Sequence, residues 1–379
     1  MNSRSMHVLH VITGLGDGGA EGVLFRLIKG TPHIRHTVLS LGTHGKYGPL
    51  LQPIGVQIIC LNLFSRKFRF FYFFQSLLTL AKTSPTLIQS WMYHADLFAS
   101  ILKYYFRCPL FWSIRNSNLR YGSSKLTTIF LVRILSLLSH FIPHKIINCS
   151  YSAFDVHTSL GYSSSKMLVI HNGIDCEIFK PNPFARSSFV ASYSLDPSLP
   201  IFGKVARFDP QKDHETLLRA FSLYVKQGYD GYLFLAGSNI NPSNLFLSNL
   251  IQVLGISSRV FLIGPCADVP FLMSSLDIHL LSSSYGEGFP NVVAEAMSCG
   301  TPVISTIVGD SPQIIGNTGW LVPISDSEAL ANALVEAASC MKTPSVWSRM
   351  QLKAHLRITQ NYNVNRMIRR FSQTWSSPC

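Results

Sequence analysis

Short apolar runs recur at regular intervals along the first 150 residues. Runs typical of buried strands lie at 6–12, 36–42, 56–63, 86–91, 109–115 and 144–150. Helical or loop material separates them, and the apolar spacing of AEGVLFRLIKG predicts a helix that ends at Gly30. Strands that alternate with helices predict parallel βαβ units.

This alternation stops at 171–200, where the stretch HNGIDCEIFKPNPF is rich in turn residues and poor in helical pattern, which suits a linker. A second series follows, with predicted strands PIFGKVAR, YLFLAG, RVFLIG, DIHLLSS and TPVIST and predicted helices HETLLRAFSLYVKQG, VPFLMSSL and DSEALANALVEAAS. The last segment, VNRMIRRFSQTW, predicts an amphipathic helix. We therefore expect an α/β fold of two Rossmann-like domains. Open parallel sheets bind ligands at the carboxyl ends of their strands, so we expect the two sheets to face an interdomain cleft.

The net charge of +13 is confined to the first half of the 379 residues. Residues 1–172 hold 17 Lys and Arg against 4 Asp and Glu, whereas the remainder is balanced. A basic half implies an anionic partner, such as a phosphorylated substrate or an anionic membrane surface. Nucleic acid is not expected as a partner, because no recognition motif accompanies the charge.

Two apolar stretches carry basic residues. FRFFYFFQSLLTLA at 68–81 follows Arg66 and Lys67, and LTTIFLVRILSLLSHFI at 126–142 contains Arg133. Neither is long and uncharged enough to span a bilayer. They are either buried helices with basic flanks or points of attachment to a membrane surface. No secretory signal is visible and the eight cysteines are widely spaced, so we expect a cytoplasmic protein, with peripheral attachment to the inner face of the cytoplasmic membrane as the second interpretation.

Two segments at strand-to-helix junctions could contact phosphate. In GLGDGGAE, glycines such as Gly16 would let the backbone approach an anion, but the spacing departs from a dinucleotide fingerprint. A phosphate-facing loop and a plain tight turn both remain open. In ARFDPQKDHETLLRAF, Arg207 and Lys212 would lie at the rim of the second sheet, where they could hold a diphosphate or form surface salt bridges.

The stretch YGEGFPNVVAEAMSCGTPVIS carries two acids in different settings. Glu287 lies between two glycines in a loop, Pro290 suits the first turn of a helix, and 291–298 is that predicted helix. Glu295 lies about one turn inside it. A helix start with free N–H groups and two acceptors suits a polyhydroxylated anion such as a sugar nucleotide. Alternatively, the two glutamates serve only as a helix cap and a surface acid.

This stretch closely resembles the motif of two glutamates separated by seven residues in retaining glycosyltransferases of the GT-B fold, family 4. HVLHVITGLGDGGAE, VIHNGIDCEIFKP and GKVARFDPQKDHETLLRAF are similar to the family's glycine loop, interdomain segment and Arg…Lys element. The resemblance covers nearly the whole chain. It implies an acceptor-binding domain at 1–172, completed by a C-terminal helix at 361–379 that crosses back to it, and a nucleotide-sugar-binding domain at 173–360.

The resemblance also implies roles for individual residues. Glu295 would bind the donor ribose, Glu287 would face the donor sugar, and Arg207 with Lys212 would neutralise the diphosphate. Further donor contacts would come from Gly16, Gly264, Gly288, Phe289, Pro290 and Asn291.

The chain departs from the family pattern at Trp91, where a histidine is common. His94 follows three residues later, and a catalytic or donor-contacting role and a structural role both remain open. Arg115 and Asn116 follow a predicted strand and are candidates on the acceptor side with Trp91, against a structural hydrogen-bonding role.

The implied reaction moves a sugar, with retention, from a UDP- or GDP-linked donor to a hydroxyl of a glycan or lipid-linked acceptor in bacterial surface polysaccharide or lipopolysaccharide synthesis. No Asp-x-Asp occurs, so we expect neither a metal nor another cofactor. Cations and a helix N-terminus could stabilise the leaving group. A sugar-nucleotide epimerase and a catalytically silent scaffold are the alternatives, and the presence of all four Arg, Lys and Glu residues favours transfer.

Overall fold

The computed structural model describes residues 6–63, 70–117 and 126–376, which fold as two compact units. The first unit holds the described residues up to Gly173 and those from Val364 onward. The second unit is Ile174–Asn363. The domain boundaries predicted at 172/173 and 360/361 lie close to these.

All the sheet strands of the described residues pair in parallel. Those of the first unit are β1 (His7–Ile12), β2 (Arg35–Ser40), β3 (Gln57–Cys60), β4 (Leu87–Trp91), β5 (Leu110–Ile114), β6 (Lys145–Asn148) and β7 (Met167–Val169). Those of the second are β8 (Ile201–Val205), β9 (Tyr232–Ala236), β10 (Val260–Gly264), β11 (Ile278–Leu281), β12 (Val303–Thr306) and β13 (Trp320–Val322).

Helices connect these strands. In chain order they are α1 (Gly19–Lys29), α2 (Gly48–Leu51), α3 (Phe70–Ala81), α4 (Tyr93–Phe106), α5 (Leu126–Ser139), α6 (Tyr151–Ser159), α7 (Ala185–Tyr193), α8 (His214–Lys226), α9 (Leu245–Val253), α10 (Val269–Ser275), α11 (Asn291–Ser298), α12 (Ser311–Ile315), α13 (Ser327–Met341), α14 (Pro344–Asn361) and α15 (Val364–Ser376). Short polar residues cap several helix starts: Asp268 accepts from the N–H of Phe271, and Asp326 from that of Ala329.

The first unit is a doubly wound sheet in the order β3-β2-β1-β4-β5-β6-β7. Helices α3, α4, α5 and α6 pack on one face, and α1, α2 and α15 on the other. Helix α15 buries Met367, Phe371 and Trp375 against that second face. The predicted return of the C-terminal helix to the N-terminal domain is therefore confirmed. Because the strand order reverses between β1 and β4, their carboxyl ends flank a crevice.

The second unit is doubly wound in the order β10-β9-β8-β11-β12-β13. Helices α8, α9 and α13 bury their apolar sides on one face, while α7, α10, α11, α12 and α14 cover the other. Here the order reverses between β8 and β11. The two predicted Rossmann-like domains with parallel sheets are thus confirmed.

The segment 171–200, where the predicted alternation stops, contains one helix, α7, which begins directly after the turn-rich stretch 171–184. The Phe189 ring of this helix is buried and meets the Phe234 ring of β9 at 4.7 Å, so this part of the segment belongs to the second unit's core. Of the two basic-flanked apolar stretches, Arg66 and Lys67 lie outside the described residues. The other stretch forms α5, which buries Leu131 and Leu135 yet keeps an exposed apolar side.

Candidate active site

The crevice between the carboxyl ends of β8 and β11 gathers the polar groups of the second unit. The segment after β8 carries Arg207 and Lys212, and the segment after β11 carries Glu287. The backbone N–H of Ser284 donates to the Gln211 carbonyl at 3.0 Å and ties the two segments together. Such crevices are where open α/β sheets bind ligands.

Two aspartates shape the turn that presents Lys212. Asp209 accepts the N–H of Gln211 at 3.0 Å and also pairs with Arg207 at 3.1 Å. Asp213 adopts a left-handed backbone with φ of 47° and caps α8 by accepting the N–H of Thr216. Lys212 therefore sits in a tight turn fixed on both sides, whereas Arg207 stays exposed on the rim.

Lys212 and Glu287 form a largely buried ion pair at the centre of this crevice. The Lys212 ammonium lies 2.5 Å from Glu287 Oε1, and the two side chains are only 15% and 10% exposed. Ser283 Oγ donates to the same carboxylate oxygen at 2.7 Å. A carboxylate held by a cation and a hydroxyl is well placed to hydrogen-bond a ligand's hydroxyl groups and poorly placed to act as a nucleophile.

A second lysine, which the sequence analysis did not identify, lies beneath this pair. Lys204 in β8 is buried, and its ammonium donates to the Lys212 carbonyl and to Ser282 Oγ, the latter at 2.6 Å. Burial, followed by the charge of Lys212, lowers the pKa of Lys204 to about 7. Lys204 thus supports the turn that carries Lys212. The signal in the sequence is a lysine inside the apolar strand IFGKV.

The predicted helix 291–298 is observed as α11, with Pro290 as its N-cap residue and not in its first turn as predicted. The backbone before it packs closely on Gly309, whose φ is +55° and where a Cβ would lie 2.6 Å from the Gly288 carbonyl oxygen. Gly309 is therefore a second site residue that sequence reasoning missed. The Phe289 ring is buried and contacts Tyr362 at 5.6 Å, so Phe289 offers a ligand its backbone more than its side chain.

The remaining predicted donor residues occupy the same edge of this sheet or the helix behind it. Gly264 ends β10 with φ of +73°, and its N–H donates to the Ile240 carbonyl at 2.7 Å. Asn291 begins α11, and Glu295 is half-buried one turn further along it. These positions agree with the predicted layout, while their contacts with a nucleotide stay predictions.

In the first unit the crevice between β1 and β4 is bordered by the glycine loop and by the start of α4. A Cβ at Gly16 would meet no atom within 4 Å, so the backbone there is open to approach. His94 is exposed in the first turn of α4, two residues after the N-cap Met92, whose strained backbone has φ of +72°. The roles of Gly16 and His94 stay predictions.

Arg115 follows β5 and is held by stacking. Its guanidinium lies 4.8 Å from the Trp91 ring, and its Nη1 donates to Asn172 Oδ1 at 2.8 Å. Burial, with a smaller effect of Arg26, lowers the pKa of Arg115 to about 10. Among the described residues its buried Nη2 finds no acceptor. Trp91 is completely buried, so it serves as the platform for Arg115 and does not face a ligand.

Asn116 is half-buried beside Arg115, at the end of the second described range. No helix within 6–63, 70–117 and 126–376 is long and apolar enough to cross a membrane.

Two doubly wound units, each with polar side chains at the point where its strand order reverses, define a protein of the Rossmann-like α/β class. Comparison with known proteins narrows the class. The sequence model of Glycosyl transferases group 1 matches residues 186–352, and that of Glycosyltransferase Family 4 matches residues 17–178. The chain belongs to the family 4 glycosyltransferases of the GT-B fold.

Two curated relatives illustrate the range of the family. The D-inositol 3-phosphate glycosyltransferase of Mycolicibacterium gilvum (strain PYR-GCK) is 29% identical over 211 residues, which are 54% of this chain and 46% of the relative. The N-acetyl-alpha-D-glucosaminyl L-malate synthase of Bacillus anthracis is 25% identical over 224 residues, 59% of this chain and 56% of the relative. The chain thus matches about half the length of these relatives.

Solved structures show the same fold across the whole chain. Anabaena HepE in complex with UDP and glucose superposes with a TM-score of 0.82 at 23% identity, covering 98% of this chain and 100% of HepE. Sucrose-phosphate synthase from Thermosynechococcus elongatus gives 0.79 at 19% identity and covers 98% of both chains.

Proposed function

We propose that the protein transfers a sugar, with retention of configuration, from a nucleotide diphosphate sugar to a hydroxyl group, and that the donor is UDP-linked. The observation that carries this proposal is the buried Lys212–Glu287 pair at the crevice between β8 and β11. UDP and UDP-glucose are present in HepE structures of the same fold, which supports the choice of base.

In the proposed complex, cations and helix amides bind the diphosphate. Departure of the nucleotide leaves negative charge on a phosphate oxygen, which Lys212 and Arg207 would stabilise together with the positive end of the α11 dipole. Glu287 would accept hydrogen bonds from the donor sugar, and Glu295 from the ribose. Because Glu287 is already engaged by Lys212 and Ser283, the reaction would proceed by front-face substitution without a covalent sugar intermediate.

We assign acceptor binding to the first unit. The buried Nη2 of Arg115 is a cationic donor for which the described residues supply no acceptor, and a phosphate or carboxylate on the acceptor would satisfy it. The names of both curated relatives contain an anionic compound, inositol 3-phosphate or malate. A lipid-linked glycan phosphate in bacterial surface polysaccharide or lipopolysaccharide synthesis is the acceptor that we propose.

The test measures nucleotide release and sugar transfer from a panel of UDP- and GDP-sugars, with a bacterial lipid extract as acceptor and EDTA present. We expect transfer to continue in EDTA, because the proposed charge stabilisation uses no metal. Glu295→Ala and Lys212→Ala should each lower transfer at least about a hundredfold, as loss of a charge-assisted contact in the transition state does.

The matched control is Glu336→Ala. Glu336 follows Glu328 by the same eight positions that separate Glu287 from Glu295, but it lies exposed on α13. This variant should keep full activity. Folded protein that binds and turns over no nucleotide sugar would refute the proposal and favour the silent scaffold, and interconversion of nucleotide sugars without transfer would favour the epimerase.

A further inference from the structure

The helical layer over one face of the first sheet exposes large apolar side chains on two adjacent helices. Six of these define what we call the α4–α5 face, and each is between 62% and 82% exposed: Ile101, Tyr104, Tyr105, Phe130, Leu137 and Phe141. The first three lie on α4, the next two on α5, and Phe141 lies two residues after the end of α5.

Both helices also bury an apolar side, so the exposed residues are additional to those that the core needs. Ala99 and Leu102 of α4 and Leu131 and Leu135 of α5 face the sheet. A surface helix of a globular protein ordinarily carries one apolar stripe, with polar residues opposite. A second stripe, continued across two neighbouring helices, indicates an interaction surface.

The same face has a one-sided charge. No Asp or Glu occurs between Asp96 and Asp155, whereas α4, its C-cap and α5 carry Lys103, Arg107 and Arg133. Asp96 itself is buried and accepts a hydrogen bond from Ser90 Oγ at 2.5 Å. Arg133 occupies the exposed stripe of α5, between Phe130 and Leu137.

A basic groove of about 790 Å³ adjoins the apolar residues. Lys103, Arg107, His144 and Lys166 line it, with Tyr104 and Phe141 beside them. The Lys103 ammonium donates to the Ile142 carbonyl and that of Lys166 to the His140 carbonyl, which fixes both cations at the groove.

The cations of this groove repel one another. Burial, followed by the charges of Lys145, Lys103 and Lys166, lowers the pKa of His144. Burial and then Lys103 and Lys145 lower the pKa of Lys166. A bound anion would relieve this repulsion.

We propose that the α4–α5 face docks on the surface of a bilayer that contains anionic phospholipids. The apolar side chains would enter the headgroup region, and the cations of the groove and of Arg133 would meet lipid phosphates. A second copy of the chain fits less well, because two such faces would bring their unbalanced positive charges together. This proposal goes beyond sugar transfer and does not depend on it.

The test is flotation of the full chain with vesicles of neutral phosphatidylcholine and with vesicles that also contain phosphatidylglycerol. We expect binding to the anionic vesicles alone, and less of it at high salt, because exposed charges are then screened. Arg107→Glu/Arg133→Glu should lower the fraction bound at least about tenfold, since each basic residue near an anionic surface contributes about fivefold to binding. Ile101→Ser/Phe130→Ser should lower it by a similar factor, because two large apolar side chains would no longer leave water on binding.

The matched control is Leu245→Ser/Val253→Ser on α9, whose residues are 71% and 82% exposed in the second unit. It should bind vesicles like the wild type. UDP binding, measured on the same samples, should be unchanged in all three variants, so a failure of docking is distinguished from a failure of the donor site.

No binding to anionic vesicles at low salt would overturn the proposal. So would self-association at micromolar concentration that the Ile101→Ser/Phe130→Ser variant abolishes, because the face would then be an interface between copies. Equal loss of binding in the α9 control would likewise count against a specific face.

Discussion

The Lys212–Glu287 pair should couple strongly in a double-mutant cycle. The perturbations are Glu287→Gln, Lys212→Met and the double variant, each of which keeps the side-chain length close to the original. Either single change leaves one largely buried charge without its partner, whereas the double change leaves none.

The structure sets the magnitude. At 2.5 Å and an effective dielectric constant of about 20, the attraction between two unit charges is about 7 kcal/mol. Desolvation of both groups offsets much of this. Each single variant should lower the free energy of unfolding of the second unit by about 3 kcal/mol. This is the low end of the range for a buried ion pair that loses one partner, because both side chains keep some exposure. The double variant should lose less than the sum, with a coupling energy of about 2 kcal/mol.

The assay is hydrogen exchange by mass spectrometry in increasing urea, which follows peptides of each unit separately. The exposed pair Arg219–Glu215, 2.7 Å apart on α8, is the matched control and should couple by less than about 0.5 kcal/mol. A coupling at Lys212–Glu287 no larger than that of the α8 pair would refute the argument that burial makes this ion pair strong.

Further predictions concern titration and glycine positions. Burial lowers the pKa of Lys204 to about 7, so the unfolded state binds more protons than the folded state above that pH. The free energy of unfolding of the second unit should therefore rise from about pH 7 to 10. Lys204→Met should remove this rise, as measured by urea titration. Burial lowers the pKa of His36 and of His157 to about 4 and that of His10 well below its usual range, so the stability of the first unit should fall as pH drops from about 6.5 to 4. His36→Gln should reduce that fall by up to about 3 kcal/mol and leave the part due to His10 and His157. Gly16→Ala should leave stability unchanged, since a Cβ there meets open space, and lower transfer if the loop contacts the donor. Gly309→Ala should destabilise the second unit by more than about 1 kcal/mol, because its φ is +55° and the Gly288 carbonyl blocks a Cβ; thermal unfolding would check both glycine variants.

Much of the architecture could be read from local patterns. Helix α11 runs over the predicted residues because Pro290 precedes it and Gly300, with φ of +80°, follows it. The buried strands were visible because parallel strands covered on both faces are apolar throughout. Helix α7 was missed since only Ala185 and Phe189 are buried along it, which leaves no clear apolar period.

The contacts within the site depend on strand order, which local patterns do not contain. Lys204 in β8 meets Ser282 because β11, and not β9, lies on that side of β8. Gly309 follows β12, and its proximity to Gly288 likewise arises from the packing of two connections at one sheet edge. The sequence could place each residue on its own loop, but the pairing of loops requires the fold.

The position of the excess charge distinguishes the two kinds of anion binding that we propose for this protein. In the second unit Arg207 is paired with Asp209 and Lys212 with Glu287. A nucleotide would therefore have to displace these carboxylates from the two cations or share the cations with them. Which anions bind in the second unit should therefore depend on how well their shape fits these ion pairs, and not on charge alone. The cations of residues 97–154 have no carboxylate in their own stretch of chain, and their attraction to an anionic surface acts at long range and weakens with salt. Donor binding should therefore depend weakly on ionic strength and surface binding strongly, although both ligands carry phosphate.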